Sequence, residues 1–238
     1  MEVNAERLIF TPMTYKNKQI SIIAGVLIIL GIVAGILSVV PSVESDQFLE
    51  EVYPNKNQVL AGAIFQFLLV PIYVGFSLLL YPVLKQYSQT LSVGFVGFRL
   101  MAGTFQIVGL ILLSGFILLS QQYLMANTSD KLIYEFIGGL LRLSRDLVNH
   151  LGVILATGLG NFLFYAVLYR EKLVPRWLSL WGFLGNIGIM LASCFVMAQL
   201  IKVVSTTYVL ISLPIVIQEI VLAIWLLTKG LNVKTNAQ

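Results

Sequence analysis

Apolar residues come in long unbroken runs along this chain, and polar residues gather in short stretches between them. The runs cover residues 19–40, 60–84, 91–120, 146–169, 177–201 and 205–228. Each reaches the roughly 20 residues that an α-helix needs to cross a hydrocarbon layer about 30 Å thick. In lipid the backbone N–H and C=O groups find no water, so a spanning segment closes its hydrogen bonds within itself as a helix. The pattern predicts an all-α fold: one polytopic membrane domain over residues 1–238, a bundle of six transmembrane helices. Pro71 and Pro82 in the second run and Pro214 in the sixth each remove a backbone donor and predict bends. The first run exceeds the roughly 7–15 residues of a signal-peptide core and lacks a clear A-x-A site. It reads as a retained span.

Two connections carry patterns of their own. In residues 41–58, Glu44, Asp46, Glu50 and Glu51 face a single Lys56, and Phe48, Leu49 and Val52 fit one side of a short surface helix. In residues 121–145, Leu132, Ile133, Phe136, Ile137, Leu140 and Leu141 recur at helical spacing, with Ser129 or Asp130 available as N-cap. Residues 129–145 then form either an outer amphipathic helix lying on the membrane or over the bundle, or a plain extension of the fourth span. The periodicity is the same in both.

Composition agrees with the runs. Apolar residues make up 58% of the chain and charged residues 11%, against about 25% charged in a soluble domain. The pI near 9.2 does not point to nucleic acid, because the bases sit beside helix ends rather than in an aromatic-interleaved patch. Their placement sets an orientation instead. Arg7, Lys16, Lys18, Lys85, Arg170, Lys172, Arg176, Lys229 and Lys234 fall on the side of the termini, and they outnumber Lys56, Lys131, Arg142, Arg145 and Lys202 opposite. The positive-inside rule then puts both termini in the cytoplasm. Within the 170–176 turn, Pro175 suits the first turn of the next helix, where its missing N–H had no partner. Trp177 and Trp181 suit the half-wet headgroup layer. Cys194 stands alone and His150 is the single histidine, so neither a disulfide nor a metal cluster is expected, and no cofactor fingerprint occurs.

Three stretches also resemble signature blocks of a known family: LYREKLVPRWLSLWGFLG, LLYPVLKQYSQTLSVGFVGFRL and LPIVIQEIVLAIWLLTKG. They are similar to those of a bacterial membrane family catalogued as "domain of unknown function 4386". The resemblance implies a six-helix integral protein of the bacterial inner, cytoplasmic membrane without an assigned activity. On matching positions it implies recurring polar residues at Arg99, Arg170, Pro175, Arg176 and Glu219.

Candidate chemistry lies where polar residues enter the spans. Offsets of 4, 7, 11 and 15 share a helix face. On that spacing Arg99, Gly103, Gln106 and Ser114 align, as do Asp146, His150, Thr157 and Asn161. So do Ser179, Gly182, Asn186 and Ser193, and Ser205, Tyr208, Ser212 and Glu219. The second span offers Gly62, Gln66, Tyr73 and Ser77, and the first Ala24, Gly31, Gly35 and Ser38, with a GxxxG step. Small and hydroxyl residues in such stripes let backbones approach, so packing explains most of them. Packing explains less of Arg99, Gln106, Asn161, Asn186 and Glu219. A charge at the bilayer centre costs about 2.5–3.5 kcal/mol even on lenient scales, so Glu219 requires a partner, a proton or water. Arg99 is shallower and could instead snorkel as an interfacial anchor.

A second group is Asp146 and His150, four apart near the outer surface, which could hydrogen-bond as an acid–base pair. Three functions follow as expectations. One is a bundle that binds or translocates a small molecule or ion at Glu219, ringed by Arg99, Gln106, Asn161 and Asn186. Another is an intramembrane enzyme acting on a lipid or isoprenoid through Asp146 and His150. The third is a sensor or partner subunit whose stripes only hold helices together.

Cysteine labelling in a Cys194→Ser background checks the orientation. Cysteines introduced in residues 41–58 should react with impermeant reagent on intact cells, and those in residues 170–176 should not. The reverse pattern would invert the assignment.

Overall fold

The computed structural model describes residues 15–203 and 205–233; Arg7 and Lys234, used above for orientation, lie outside the described residues. The helices are α1 (Tyr15–Leu37), α2 (Pro41–Glu44), α3 (Phe48–Glu51), α4 (Lys56–Leu84), α5 (Gln89–Met125), α6 (Lys131–Leu147), α7 (Ala156–Glu171), α8 (Arg176–Met197) and α9 (Thr206–Thr228). A π-helical segment, Val148–Leu155, joins α6 to α7 without a break. Among the described residues, six helices are long and apolar enough to cross a membrane. The fourth of these is the whole continuous stretch Lys131–Glu171.

Residues 131–147 therefore extend the fourth span, and the connection shrinks to the few residues after Met125. Asp130 is the N-cap position but its side chain makes no cap bond. Leu132, Ile133 and Phe136 are exposed on α6, while Gly138 lets Phe48 and Leu49 pack close. The predicted short helix of residues 41–58 resolves into the two single turns α2 and α3. Ser120 Oγ anchors that loop by donating to Leu49 O at 2.7 Å and accepting from Tyr53 N at 2.9 Å. The overlong α5 and α6 thus become a scaffold for the loop. α4 runs through Pro71 and Pro82, and α9 through Pro214.

The spanning helices form a ring in chain order. α1 packs on α4, α4 on α5, α5 on α7, α7 on α8, α8 on α9, and α9 closes back on α1. Large apolar side chains such as Ile36, Ile64, Ile111, Leu184 and Leu210 point outward, the arrangement lipid requires. Closure depends on Gly25, where a Cβ would sit 2.9 Å from Ala223 O. The GxxxG step divides. Gly31 lies against the Tyr73 ring, whereas nothing comes within 4 Å of a Cβ built on Gly35.

At the end of the bundle where α1 begins and α9 finishes, the 170–176 turn is a packing element. Lys172 caps α7 in the left-handed region (φ 54°), and Leu173 and Val174 are fully buried. Leu173 O accepts from Asn232 N at 2.8 Å, and Leu231 N donates to Ser21 Oγ at 3.0 Å. Leu231, just beyond α9, is itself buried. One apolar cluster surrounds this end (Leu84, Phe95, Leu168, Leu226 among others) and a second the far end (Val43, Val59, Leu113, Phe116). Polar side chains occupy the layer between.

Gly25→Ala should push α9 off α1 and cost about 1–3 kcal/mol, the usual range for overpacking. Gly35→Ala should be neutral or slightly stabilising, because alanine is the better helix former. Thermal unfolding in a mild detergent compares the two. Equal losses would contradict this account of ring closure.

Candidate functional site

Along α4 the buried Val59, Gln66 and Phe76 are joined by the half-buried Tyr73, and along α5 the buried side chains read Phe95, Arg99, Gln106, Leu113; the polar members therefore sit between the two apolar clusters. Arg99 is only 5% exposed, so it does not snorkel. Its guanidinium lies 5.3 Å from the ring of Tyr73, 5.7 Å from Phe76 and 5.6 Å from Phe95. A cation over desolvated ring faces gains up to about 2 kcal/mol per contact. Arg99 Nη2 donates to Asn161 Oδ1 at 2.6 Å. With that oxygen occupied, Asn161 Nδ2 donates to Asn186 Oδ1 at 3.3 Å, and Asn186 Nδ2 donates to Gly158 O at 2.9 Å. An amide has one acceptor and one donor end, so the Arg99 proton fixes the direction of the whole chain.

Beside this chain is a cavity of about 60 Å³. Arg99, Asn161, Thr157, Tyr73, Tyr165 and Glu219 line it, with Leu27, Ile28 and Ile32 of α1 as an apolar wall. Glu219 makes no hydrogen bond or ion pair to any described residue, yet it is near enough to Arg99 for their charges to interact. Arg99 Nε and Thr157 Oγ1 are also without partners among the described residues. Buried polar atoms are satisfied in the great majority of cases, by protein or by water. Two open ones and the unpaired Glu219 carboxyl around one cavity mark a place for water or a small polar occupant, and about 60 Å³ holds a few water molecules.

A family model described as "Domain of unknown function (DUF4386)" matches residues 23–230. The chain belongs to this family. No curated protein and no solved structure matches it. Membership in the DUF4386 family fixes no activity, so the chemistry rests on the residues.

Their positions divide the sequence-based set. Arg99, Asn161 and Glu219 line the cavity, and Asn186 joins through Asn161. Gln106 does not. It stands about 10 Å further along α5, at 1.5 Å per residue, where its backbone carbonyl receives Gln66 Nε2 at 3.5 Å. Tyr165, Gln218 and Thr157 were not singled out as site residues. Tyr165 donates to Gln218 Oε1 at 2.8 Å, and Gln218 Nε2 donates to Leu178 O at 3.2 Å. The available signal was a second amide beside Glu219 in mid-span, but it lies 100° round the helix from the Glu219 stripe.

The Asp146–His150 pair does not form. His150 is 2% exposed, with Nδ1 3.1 Å from Ser193 Oγ and its ring edge-on to Tyr208 at 5.6 Å. Asp146 makes no hydrogen bond or ion pair to a described residue, and it lines a separate cleft at the far end. The reason is the π segment, in which the i+5 rather than the i+4 residue bonds back. That breaks the spacing on which the pairing rested. Among the described residues no group of three or more His, Cys, Asp or Glu could hold a metal.

Asn161→Leu should remove the acceptor of a charged donor and cost about 1.5–3 kcal/mol. Adding Arg99→Met to it should restore most of the loss, because no buried charge is then left unpaired. A double-mutant cycle read by thermal unfolding in detergent gives the answer, and additive losses would count against the coupling.

Proposed function

We propose that the bundle is a proton-handling membrane protein, with Glu219 as the carboxyl that takes up and releases the proton and Arg99 as its fixed countercharge. The carrying observation is that both line one small cavity without pairing directly. A contact ion pair would hold the proton off the acid. A gap with room for a few waters lets a carboxyl exchange its proton while a nearby guanidinium compensates the charged form. The size of the cavity favours a proton or monatomic ion over an organic solute. Thr157 and Arg99 Nε offer further hydrogen bonds to the same space.

Translocation requires access from each side in turn. The element to move is α1, which contributes only apolar side chains to the wall, Leu27, Ile28 and Ile32. With both termini in the cytoplasm of a bacterial cell, as the basic residues indicate, a shift of α1 against α4 would open the site. The reading of an enzyme built on Asp146 and His150 loses its support with the missing pair.

Glu219→Gln keeps the shape and removes the titrating group. In proteoliposomes holding a pH gradient and an internal dye, wild type should dissipate the gradient several-fold faster than Glu219→Gln, with unchanged folding by circular dichroism. Infrared difference spectra on changing pH should show a protonated-carboxyl band that disappears in the variant. Equal proton flux together with an unaltered band would refute the proposal.

A further inference from the structure

At the end of the bundle opposite the 170–176 turn, a cleft of about 450 Å³ opens between α6, the loop after α1 and the turn after α8. That is within the range of sites that take drug-sized ligands. One side is apolar, formed by Leu143, Leu147, Val196 and Leu200. The other carries charges, and their partners decide what could bind. Arg142 donates to Glu44 O at 2.6 Å and Ser45 O at 2.9 Å. Glu44 pairs with Arg145 at 2.8 Å. Asp46 pairs with Lys202 at 3.1 Å. Asp146 alone among these charged groups has no hydrogen bond or ion pair to a described residue. On α6 it stands four residues after Arg142 and next to Leu147, so charged and apolar lining residues adjoin there.

We propose that this cleft binds an amphiphile with a cationic amino or ammonium headgroup, the cation on Asp146 and the alkyl chain along Leu143, Leu147, Val196 and Leu200. The head is selected by Asp146, the charged group of the lining with no hydrogen bond or ion pair of its own; the charge of Arg142 reaches it as well, but the Arg142 donors are committed to the carbonyls of Glu44 and Ser45. The apolar side selects a chain rather than a small soluble amine. The Lys202–Asp46 bridge joins the loop after α1 to the turn after α8 beside the cleft, with both side chains more than 80% exposed (81% and 83%). An exposed pair of this kind holds weakly and is screened by salt, so it can release without disturbing the fold. The site is separate from the Glu219 cavity, shares no lining residue with it, and stands or falls independently of proton transfer.

The test uses the full chain in a neutral maltoside detergent, titrated with dodecyltrimethylammonium, dodecanol or dodecyl sulfate, with binding followed by thermal shift. The cation should bind at least tenfold more tightly than the alcohol or the sulfate of equal chain length. Asp146→Asn should fold with an unchanged midpoint and lose about tenfold or more of the cation affinity. Leu147→Trp should block the cleft to all three. A second arm identifies the source: nanodiscs of phosphatidylethanolamine and of phosphatidylglycerol, with bound lipid counted by native mass spectrometry. Retention of the aminolipid that is lost in Asp146→Asn assigns the site to a bilayer lipid, and binding of the soluble cation alone assigns it to an exogenous amphiphile. Cation binding undiminished in Asp146→Asn, equal affinity for dodecanol, or binding in neither arm would overturn the proposal.

Discussion

A guanidinium enclosed within the helices is the constraint that organises the bundle. Charge at this depth is costly unless its donors find acceptors, ring faces or water. Three aromatic side chains from α4 and α5 cover Arg99, and Asn161 of α7 takes its Nη2. Asn161 then orients Asn186 of α8, which in turn bonds Gly158 O back on α7. One charge thereby sets the relative positions of four spanning helices. A slip of any of them by one residue would turn its polar side chain about 100° away and leave the charge exposed to hydrocarbon. α1 and α9 are held differently, through close approach at Gly25 and the tie between Leu231 and Ser21. They are also the helices that bring the apolar wall and Glu219 to the cavity. The cavity thus lies where the arginine-fixed part of the ring meets the part fixed by packing.

The far end follows a different logic. α5 has 37 residues and the continuous helix from Lys131 to Glu171 has 41, about 55 and 60 Å long at 1.5 Å per residue. Both exceed the thickness of the hydrocarbon layer. Their surplus length carries groups that the short loop needs. Ser120 bonds the backbone of Leu49 and Tyr53, Arg142 takes the carbonyls of Glu44 and Ser45, and Arg145 takes the Glu44 carboxylate. A loop with two one-turn helices cannot satisfy its own backbone. Docking it on two long helices supplies the missing donors and acceptors, and the cleft is the space left between this assembly and the turn after α8.

Much of this was legible in the sequence, for an identifiable reason. Span number and helix class follow from apolar run length, because the bilayer admits few alternatives. The inward placement of Glu219, Asn161 and Asn186 follows from the cost of a polar group in lipid. Depth was harder to read. Gln106 shares a face with Arg99, yet its distance along the helix puts it with Gln66 instead. Arg99 was read as free to snorkel because distance from a span end carries no information about neighbouring rings. The extension of the fourth span was ambiguous, since an amphipathic period looks the same on a surface helix and on a protruding one. Gln218 was hidden by its neighbour Glu219, which drew attention to the adjacent face.

The Asp146–His150 pairing failed for a more specific reason, and it connects the two ends of the molecule. In an unbroken α-helix Asp146 and Asn161 are 15 residues apart and fall within about 60° of one another at 100° per residue. Val148–Leu155 widens to a π-helix, and the altered turn rotates everything that follows relative to α6. A wider turn needs room, and the neighbours supply it. Gly152 presents bare backbone to the Phe105 ring, and Gly109 of α5 lies between Gln66 and Asn149, with no side chain of its own to separate them. His150 is directed to Ser193 on α8, Asn161 to Arg99 on α5, and Asp146 into the far cleft. One helix can therefore serve a cavity between the apolar clusters and a cleft at the far end because its period changes between them. An α-helical period applied to the sequence could only merge the two.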